Sequence, residues 1–390
     1  AVFLERQNIV VNVRHEVTDL DLDAGRVTVR NLATGAEFKD GFDKLLLATG
    51  ASPVLPRLNG IEADGVFSLG VLETGIAVRK FIDQRRPSRA VVIGGGYIGL
   101  EMAEAFACVR NIKTALIDRA PQVMSTFDPD MAEHIAGAIR GIGTDLRLGE
   151  TLLGFGTEGG GVRSVITEGG SIPADIVVMG LGVRPNSELA ERAGLKLSVR
   201  NSIAVDESMR TSHPAVWAAG DCASTTHLVT GKPFWVALGT VANKSGRVAG
   251  ISIGGGRAAL KGVLGTAMSK HCSFEVARTG LSTGEAEEEG RRFQSVVIKT
   301  KTRAGYFPGA ENMYVKLLAE EGSGRLVGGQ IVGGQGAAKR VDIIATALAA
   351  GMTVEELVDL DLGYAPPFSM AWDPVRSEEH TSELQSRSTI

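Results

Sequence analysis

The stretch VVIGGGYIGLEMAE, residues 91–104, decides how the surrounding chain folds. Apolar residues typical of a buried strand precede Gly94, Gly96 and Gly99, and helix-forming residues follow. In a strand–turn–helix unit, such glycines permit a tight turn, close approach of a pyrophosphate, and close packing of helix on strand. The helix N-terminus adds unpaired N–H groups that attract phosphate. The spacing alone is weak, but its context predicts a dinucleotide site.

The strand after this helix ends at Asp118, at about the spacing expected for the acid that binds the adenosine ribose. A carboxylate there favours NADH, because it would repel the 2′-phosphate of NADPH. Arg119 follows it and keeps NADPH as the alternative. Asp118 could also be no more than a turn residue at a strand end. About ninety residues with strand patterns precede the glycine turn, so a second function for that earlier segment is expected.

Length and composition limit the class of protein. The chain has 390 residues, enough for two or three domains, and 44% of them are apolar. Its net charge of -4, without a Lys/Arg-rich run, argues against a nucleic-acid partner. The sequence offers neither a membrane span nor a signal peptide, so we expect no membrane association.

The chain has three cysteines, Cys108, Cys222 and Cys272, without C-x-x-C spacing. This arrangement argues against a disulfide framework and against a thiol-rich metal site, so no metal is predicted. It fits a reducing, cytoplasmic location. We interpret all three as structural side chains rather than nucleophiles, because buried cysteine usually behaves as a small apolar residue.

Periodic patterns run through the rest of the chain. Strand patterns cover residues 8–17, 25–32, 36–50, 113–118 and 174–186. Helix patterns cover residues 71–84, 97–109, 131–143, 238–250 and 341–351. Four further strand patterns, residues 274–280, 295–300, 313–320 and 326–334, predict an antiparallel sheet near the C-terminus.

A second motif, TSHPAVWAAGD at residues 211–221, is an apolar strand followed by Gly220 and Asp221. Alone it could be an ordinary buried strand with a turn carboxylate. Together with LLLATG, GGGYIGLEMAE, VVMGLGVRPN and YAPPFSMAWDPV it resembles the pyridine nucleotide–disulfide oxidoreductases, flavoproteins with two dinucleotide sites. These motifs span nearly the whole chain to Val375, in family order. YAPPFS and LGTVANKSGR resemble the group of CoA-disulfide reductases, NADH oxidases and NADH peroxidases most.

The resemblance implies an α/β fold with two Rossmann-like nucleotide-binding domains and an α+β dimerisation domain. It places an incomplete FAD domain at residues 1–86 and 202–262, with the NAD(P)H domain, residues 87–201, inserted between them. Residues 263–375 form the dimerisation domain, and the protein is expected to be a homodimer. The tail RSEEHTSELQSRSTI, residues 376–390, resembles the translation of a sequencing adapter and is expected to be non-native.

The resemblance also implies cofactor-binding residues. Those for FAD are Thr49, Gly50, Gly220 and Asp221, with Asp221 on the ribityl chain. Those for NADH are Gly94, Gly96, Tyr97, Gly99, Asp118 and Gly182. Tyr97 covers the nicotinamide pocket until the cofactor arrives, and Glu101 lies close to the flavin; otherwise they are a packing aromatic and a solvated helix charge. The helix near Leu238 directs its N-terminus at the flavin pyrimidine, where reduction leaves negative charge.

Two family features have no counterpart in this chain. The family's FAD domain begins with its own glycine turn and then carries a redox-active cysteine, so seventy or eighty more residues are expected before Ala1. The three cysteines present do not substitute for it. The sequence by itself is therefore expected to bind FAD poorly and to be inactive as a disulfide reductase.

Tyr306 and Tyr364 match positions where CoA-disulfide reductases carry tyrosines near the partner subunit's active site. A phenol there could protonate a departing thiolate, although both could instead be interface packing. Asn243 matches a position near the CoA substrate. Trp372 stands where such enzymes often have Lys, which removes a cation for CoA phosphates and favours a different disulfide or a persulfide.

The favoured function is an FAD-dependent reductase of CoA disulfide, with hydride passing from NADH to FAD and electrons passing on to the upstream cysteine. An NADH oxidase or peroxidase would cycle that cysteine through a sulfenic acid instead. A cysteine-independent electron transferase, such as a ferredoxin reductase, would share the nucleotide motifs, but YAPPFS argues against it. A non-catalytic nucleotide-binding module is the remaining alternative.

Overall fold

The structure is a computed structural model that describes residues 9–376. The adapter-like tail beyond Arg376 lies outside the described residues. The strands, in chain order, are β1 (His15–Asp21), β2 (Arg26–Asn31), β3 (Glu37–Gly41), β4 (Leu45–Leu47), β5 (Ala51–Pro53), β6 (Val66–Ser68), β7 (Arg89–Ile93), β8 (Lys113–Asp118), β9 (Asp145–Leu148), β10 (Leu152–Glu158), β11 (Gly161–Thr167), β12 (Gly170–Pro173), β13 (Ile176–Met179), β14 (Val183–Pro185), β15 (Val216–Ala218), β16 (Thr225–Thr226), β17 (Pro233–Phe234), β18 (Ala267–His271), β19 (Phe274–Gly280), β20 (Phe293–Lys301), β21 (Asn312–Glu320) and β22 (Leu326–Gly333).

The α-helices are α1 (Leu72–Arg85), α2 (Tyr97–Glu104), α3 (Pro129–Gly141), α4 (Glu188–Arg192), α5 (Gly239–Ile253), α6 (Thr283–Glu288), α7 (Val341–Ala350) and α8 (Val354–Val358). A π-helical turn, Ala105–Val109, continues α2. Short 3-10 turns occupy Val199–Asn201, Gly220–Cys222, Ala338–Arg340 and Pro374–Arg376. Within the described chain, no helix combines the length and apolar character needed to cross a bilayer.

One compact unit contains the described chain up to Ser52, together with Arg184–Thr226 and Lys232–Val263. Strands β1, β2 and β3 form an antiparallel sheet, and β4 pairs in parallel with β15. Leu47, Val216 and Cys222 are buried in its core. The strand predicted over residues 8–17 was wrong at its start: β1 begins at His15, and the exposed apolar residues Ile9, Val10, Val11 and Val13 lie outside any strand.

The other unit contains Pro53–Val183, His227–Gly231 and the described chain from Leu264 onward. Its parallel sheet has the strand order β6-β13-β7-β8-β9. The central strands are almost wholly apolar because both faces are covered. Leu100 of α2 and Ile135 of α3 pack on one face, and the small antiparallel sheet of β10, β11 and β12 packs on the other. Strand β6 precedes the predicted boundary at residue 87 and belongs to this sheet.

The same unit contains the C-terminal antiparallel sheet, with order β18-β19-β22-β21-β20. Its four longer strands are those predicted from the sequence, and β18 is a fifth that the pattern did not indicate. Helix α7 packs Ile344 against Val315 and Ile331 of this sheet. The described parts of both units confirm the mixed α/β fold class.

Two of the three cysteines depart from expectation. Cys108 and Cys272 form a disulfide, with Cα atoms 6.3 Å apart, so the expectation from the cysteine spacing that the chain has no disulfide was wrong. They are 164 residues apart in sequence, and only the packing of β18 on α2 brings them together. Cys222 is unpaired and buried, as expected.

Candidate functional site

The three glycines of the turn after β7 differ in their surroundings. Gly94 has φ of +103°, and a Cβ there would lie 2.5 Å from the carbonyl oxygen of Gly180. A Cβ on Gly99 would overlap the carbonyl oxygen of Gly94. A Cβ on Gly96 would meet nothing within 4 Å. Gly94 and Gly99 therefore allow the turn and the packing of α2 on the sheet, while Gly96 leaves open space at the N-terminus of α2.

The start of α2 is suited to an anion. Gly96 is its N-cap, no side chain caps the exposed amides, and no acidic residue lies in the first turn. Helix N-termini with free N–H groups bind phosphate. Strands β7, β8 and β13 are parallel and in register, so Gly94, Asp118 and Gly180 lie along the same edge of the sheet.

Asp118 bonds to the backbone of this edge. Its Oδ2 accepts from the N–H of Gly95 at 2.6 Å, and its Oδ1 accepts from the N–H of Ala120 at 2.7 Å. The carboxylate therefore holds the glycine turn against the end of β8, and each oxygen retains a lone pair for a ribose hydroxyl. The neighbouring Arg119 is exposed.

Tyr97, the first residue of α2, packs against the core beneath it. Its hydroxyl is buried and forms no hydrogen bond of normal geometry with residues 9–376. Burial raises the pKa of the Tyr97 phenol, and the positive charge of Arg278 opposes that rise. Arg278 is held by Glu285, at 2.5 Å, and donates to the carbonyl of Thr126. Tyr97 thus carries an unsatisfied polar atom at the N-terminus of α2.

Glu101 lies one turn further along α2 and is exposed. Its Oε1 accepts a hydrogen bond from Ser269 Oγ of β18 at 3.2 Å. Gly182 follows β13 with φ of +86°, and its carbonyl accepts from the N–H of Val54 at 3.0 Å. Gly182 therefore shapes the loop that leaves the sheet edge.

The residues predicted to bind FAD lie in the other unit, at the ends of β4 and β15. Thr49 Oγ1 donates to the carbonyl of Asn186 at 2.5 Å, and Asn186 Nδ2 donates to the carbonyl of Thr49 at 2.8 Å. The N–H of Asn186 donates to the carbonyl of Gly50, whose φ is +71°. This reciprocal bonding holds the Thr49–Gly50 turn in place.

Gly220 and Asp221 begin the turn after β15. Gly220 has φ of +78°, and its N–H donates to Ser245 Oγ of α5 at 3.0 Å. The carbonyl of Asp221 accepts from Trp235 Nε1 at 2.8 Å. Burial raises the pKa of the Asp221 carboxyl, and among the described residues no donor bonds to its side chain. Helix α5 starts without a side-chain cap and without an acidic residue in its first turn.

The predicted substrate-side residues are exposed. The hydroxyls of Tyr306 and Tyr364 lie 3.4 Å apart, and these residues are 77% and 50% exposed. The hydrogen bond with Tyr306 raises the pKa of the Tyr364 phenol. Trp372 is exposed, with the Arg376 guanidinium 4.8 Å from its ring centroid. Asn243 lies on an exposed position of α5.

Several residues at these sites were not singled out from the sequence. Asn186 was visible at the end of GVRPN, but its bonds to Thr49 connect positions 137 residues apart. Ser245, Ser269 and Arg278 carry no local signal either. Each acts on a motif residue through a contact that appears only after folding.

The residues present fit the two cofactors. The open space at Gly96, the free amides of α2 and the lone pairs of Asp118 suit a pyridine nucleotide. The unbonded, half-buried Asp221 carboxylate and the free N-terminus of α5 suit a flavin nucleotide in the other unit.

Comparison with known proteins identifies the family of the chain. Residues 2–246 match the family described as pyridine nucleotide-disulphide oxidoreductase, and residues 266–375 match the dimerisation domain of the same family. A CoA-dependent NAD(P)H sulfur oxidoreductase of Pyrococcus furiosus is 37% identical over 96% of this chain and 83% of its own length. An NADH oxidase of Methanocaldococcus jannaschii is 37% identical over 94% and 81%.

Among solved structures, an NAD-dependent persulfide reductase from A. fulgidus superposes with a TM-score of 0.94. It is 38% identical, and the match covers 99% of this chain and 71% of that one. The family match covers residues 2–246, which is more than half of the chain and includes the glycine turn and the Gly220–Asp221 turn. The chain belongs to the pyridine nucleotide-disulphide oxidoreductase family, as an oxidoreductase that uses FAD and NAD(P)H.

Proposed function

We propose that the protein reduces a sulfur–sulfur bond in a CoA disulfide or a related persulfide, with electrons from NAD(P)H. The observation that carries the proposal is the pair of adjacent, exposed phenols, Tyr306 and Tyr364. Similarity to a CoA-dependent sulfur oxidoreductase and to a persulfide reductase supports the same class of substrate. FAD, when bound, accepts hydride from NAD(P)H and passes electrons on to sulfur.

The chain's own residues hold the nicotinamide nucleotide. Gly94 and Gly99 bring the start of α2 close to the sheet edge, and Gly96 admits the pyrophosphate. Asp118 holds the turn and accepts from the ribose hydroxyls. Arg119 is exposed beside it, which supports the use of NADPH as well as NADH. Tyr97 covers the nicotinamide pocket. Gly182 lies in the loop that leaves the sheet edge after β13, and Ser269 orients Glu101 through a hydrogen bond.

Residues of the other unit hold the flavin nucleotide. Asp221 accepts from the ribityl chain, since its carboxylate has no donor among the described residues. Thr49 and Gly50 form a turn braced by Asn186, and Gly220 adopts the left-handed conformation that places Asp221 beside α5. With FAD bound, the free N-terminus of α5 would favour the negative charge that reduction places on the flavin ring.

Tyr306 and Tyr364 supply the proton for the departing thiolate. Their mutual hydrogen bond raises the pKa of the Tyr364 phenol, so Tyr364 keeps a proton that it can donate to a departing thiolate. Asn243, exposed on α5, is proposed to contact the CoA moiety. Trp372 stands where CoA-disulfide reductases often have a Lys that faces the CoA phosphates. The missing cation supports a persulfide or a smaller disulfide as a substrate beside CoA disulfide.

A second candidate function is an NADH oxidase or peroxidase, favoured by the similarity to the NADH oxidase of Methanocaldococcus jannaschii. The two candidates share the nucleotide sites and differ in the final acceptor. The match to the family's dimerisation domain supports a homodimer. The division into residues 1–86, 87–201, 202–262 and 263–375 stays a prediction.

The experiment is an assay of the full protein with NADH against CoA disulfide, CoA persulfide, oxygen and hydrogen peroxide. We expect thiol release with one of the sulfur substrates. Turnover of oxygen or peroxide without thiol release would replace this proposal with the oxidase.

In the same assay, Tyr306→Phe with Tyr364→Phe should lower kcat on sulfur substrates about tenfold to a hundredfold. Tyr314→Phe is the matched control, since Tyr314 is a sheet residue stacked on His134.

A further inference from the structure

Four consecutive residues, Ser269–His271 of β18 and Cys272 directly after it, contact helix α2 and its π-helical extension. Ser269 Oγ donates to Glu101, and Lys270 Nζ lies 3.4 Å from Glu104 Oε1. The imidazole of His271 lies 3.3 Å from the carbonyl of Leu100. Cys272 completes the series through its disulfide with Cys108. This set of contacts, here called the clasp, connects the C-terminal sheet to the helix that carries Tyr97 and Glu101.

The backbone departs from regular structure at both cysteines. Cys108 lies in the π-helical turn Ala105–Val109, a rare conformation that is frequent at functional sites. Cys272 has φ of +55° in the two-residue turn between β18 and β19, where glycine or asparagine is usual. Left-handed conformations are uncommon for other residues. Both cysteines of the disulfide therefore lie in irregular backbone.

Neither cysteine of the disulfide is a buried residue. Cys108 is exposed and Cys272 is partly exposed, whereas Cys222 is fully buried. Disulfides that small thiols can reach are the ones that undergo exchange. The bond therefore differs from a structural disulfide enclosed in a core.

We propose that the Cys108–Cys272 disulfide is a thiol-exchange site. Its oxidation or reduction controls how firmly helix α2 is held against β18. A small thiolate attacks Cys108 Sγ, the Cys108–Cys272 bond breaks, and Cys272 leaves as a thiolate that takes up a proton. A second thiolate attacks the sulfur of the bound thiol, forms a free disulfide, and releases Cys108. In sum, two thiols are oxidised to one disulfide while the protein disulfide is reduced to two cysteines.

The inference rests on the proposed function in one respect: the thiol that opens the clasp is of the class that the enzyme releases. Accumulated product would then open the clasp and weaken nucleotide binding. Without the disulfide, the polar contacts of the clasp that remain between β18 and α2 are a hydrogen bond, a partly exposed ion pair and the His271 contact. We expect a Kd for NADH about threefold to tenfold higher in the reduced protein.

The test uses the full chain in glutathione and glutathione disulfide mixtures of graded ratio. Differential alkylation with mass spectrometry reports Cys108 and Cys272, and calorimetry reports the Kd for NADH at each ratio. We expect the two cysteines to change state together and the Kd to follow them. Cys108→Ser should bind NADH as the reduced protein does at every ratio. Cys222→Ser is the control and should respond as the wild type does.

Three outcomes would overturn the inference: free Cys108 and Cys272 in the air-oxidised protein, a disulfide that resists excess glutathione, or an equal Kd in both states. The comparison of oxidised with reduced wild type needs no variant, so poor folding of Cys108→Ser would not prevent a decision. Because both readouts are independent of turnover, loss of sulfur-reductase activity alone would count against the proposed function and leave this inference standing.

Discussion

At the scale of single residues, the glycines of the turn after β7 have different roles: Gly96 affects nucleotide binding, and Gly99 affects folding stability. Gly96→Ala adds a methyl group in open space at the N-terminus of α2, so the protein should fold while the pyrophosphate is obstructed. We expect a Kd for NADH raised about tenfold or more, which is ~1.4 kcal/mol, with little change in Tm. Calorimetry and thermal unfolding measure the two effects.

Gly99→Ala should behave in the opposite way, because its Cβ would overlap the carbonyl oxygen of Gly94. Overpacking of this kind destabilises the fold by about 1–3 kcal/mol or more, so the Tm of the protein without nucleotide should fall. Gly137→Ala, in open space within α3, is the control and should be neutral or stabilise by up to about 1 kcal/mol. Equal Tm losses for Gly96→Ala and Gly99→Ala would contradict this account.

Asp175 gives a prediction for acid stability. Arg89 and Ser88 bond to its carboxylate, which lowers its pKa to about 2. A lowered folded-state pKa contributes stability above the unfolded value of 3.8, and the contribution is lost as pH falls toward 2. Since Arg89 is partly exposed, we expect Asp175→Asn to cost about 1–2 kcal/mol at pH 7.

Denaturant unfolding at pH 7 and at pH 3 measures this effect. The difference between Asp175→Asn and wild type should shrink at the lower pH. Asp64→Asn removes the exposed Arg85 ion pair and should change stability by less than about 0.5 kcal/mol at either pH. A difference between Asp175→Asn and wild type that grows on acidification would refute the linkage.

At the scale of elements, a buried ion pair connects β21 to the N-terminus of α3. Lys316 Nζ lies 2.9 Å from Asp128 Oδ2 and 2.8 Å from Asp130 Oδ2, and Lys316 and Asp128 are buried. Asp128 Oδ1 accepts from Thr283, which begins α6. Lys316→Met should cost about 3–5 kcal/mol, because it leaves the Asp128 charge buried without its cation.

Urea unfolding of a double-mutant cycle tests this ion pair. Asp128→Asn combined with Lys316→Met should cost less than the sum of the two single substitutions, because the stranded charge is gone. Lys301→Met, at an exposed position of β20, is the control, and we expect a change within about 0.5 kcal/mol. Simple additivity of the two substitutions would show that the pair is not coupled.

Elements with strong local patterns were predictable from sequence, and their partners were not. The apolar run of β7 and the glycines after it determine a strand and a turn within fourteen residues. The predicted helix over residues 97–109 changes to a π-helical turn at Ala105, which periodicity does not reveal. Strand β18 was missed because AMSKH lacks a clear alternating pattern, and its pairing with β19 holds it in place.

At the scale of the whole molecule, the family's dimerisation domain leads to a prediction about assembly. Light scattering should give twice the chain mass of 40.9 kDa. Phe368 is 77% exposed near Tyr364 in sequence, and we expect Phe368→Asp to raise the dimer dissociation constant about tenfold or more. Leu72→Asp, equally exposed on α1, is the control and should leave the dimer intact. A single-chain mass at every concentration would rule out the homodimer.

The sequence by itself determined the two glycine turns, the fold class and the family of this protein. These depend on local conformational requirements, such as a left-handed glycine at 94 or an apolar strand before Asp221. Such requirements are visible within a few consecutive residues. Only the tertiary structure decided that Cys108 pairs with Cys272, that Asn186 braces Thr49, and that Lys316 neutralises Asp128. Each joins residues more than a hundred positions apart, because burial of the sheets and helices, rather than local conformation, sets which distant side chains meet.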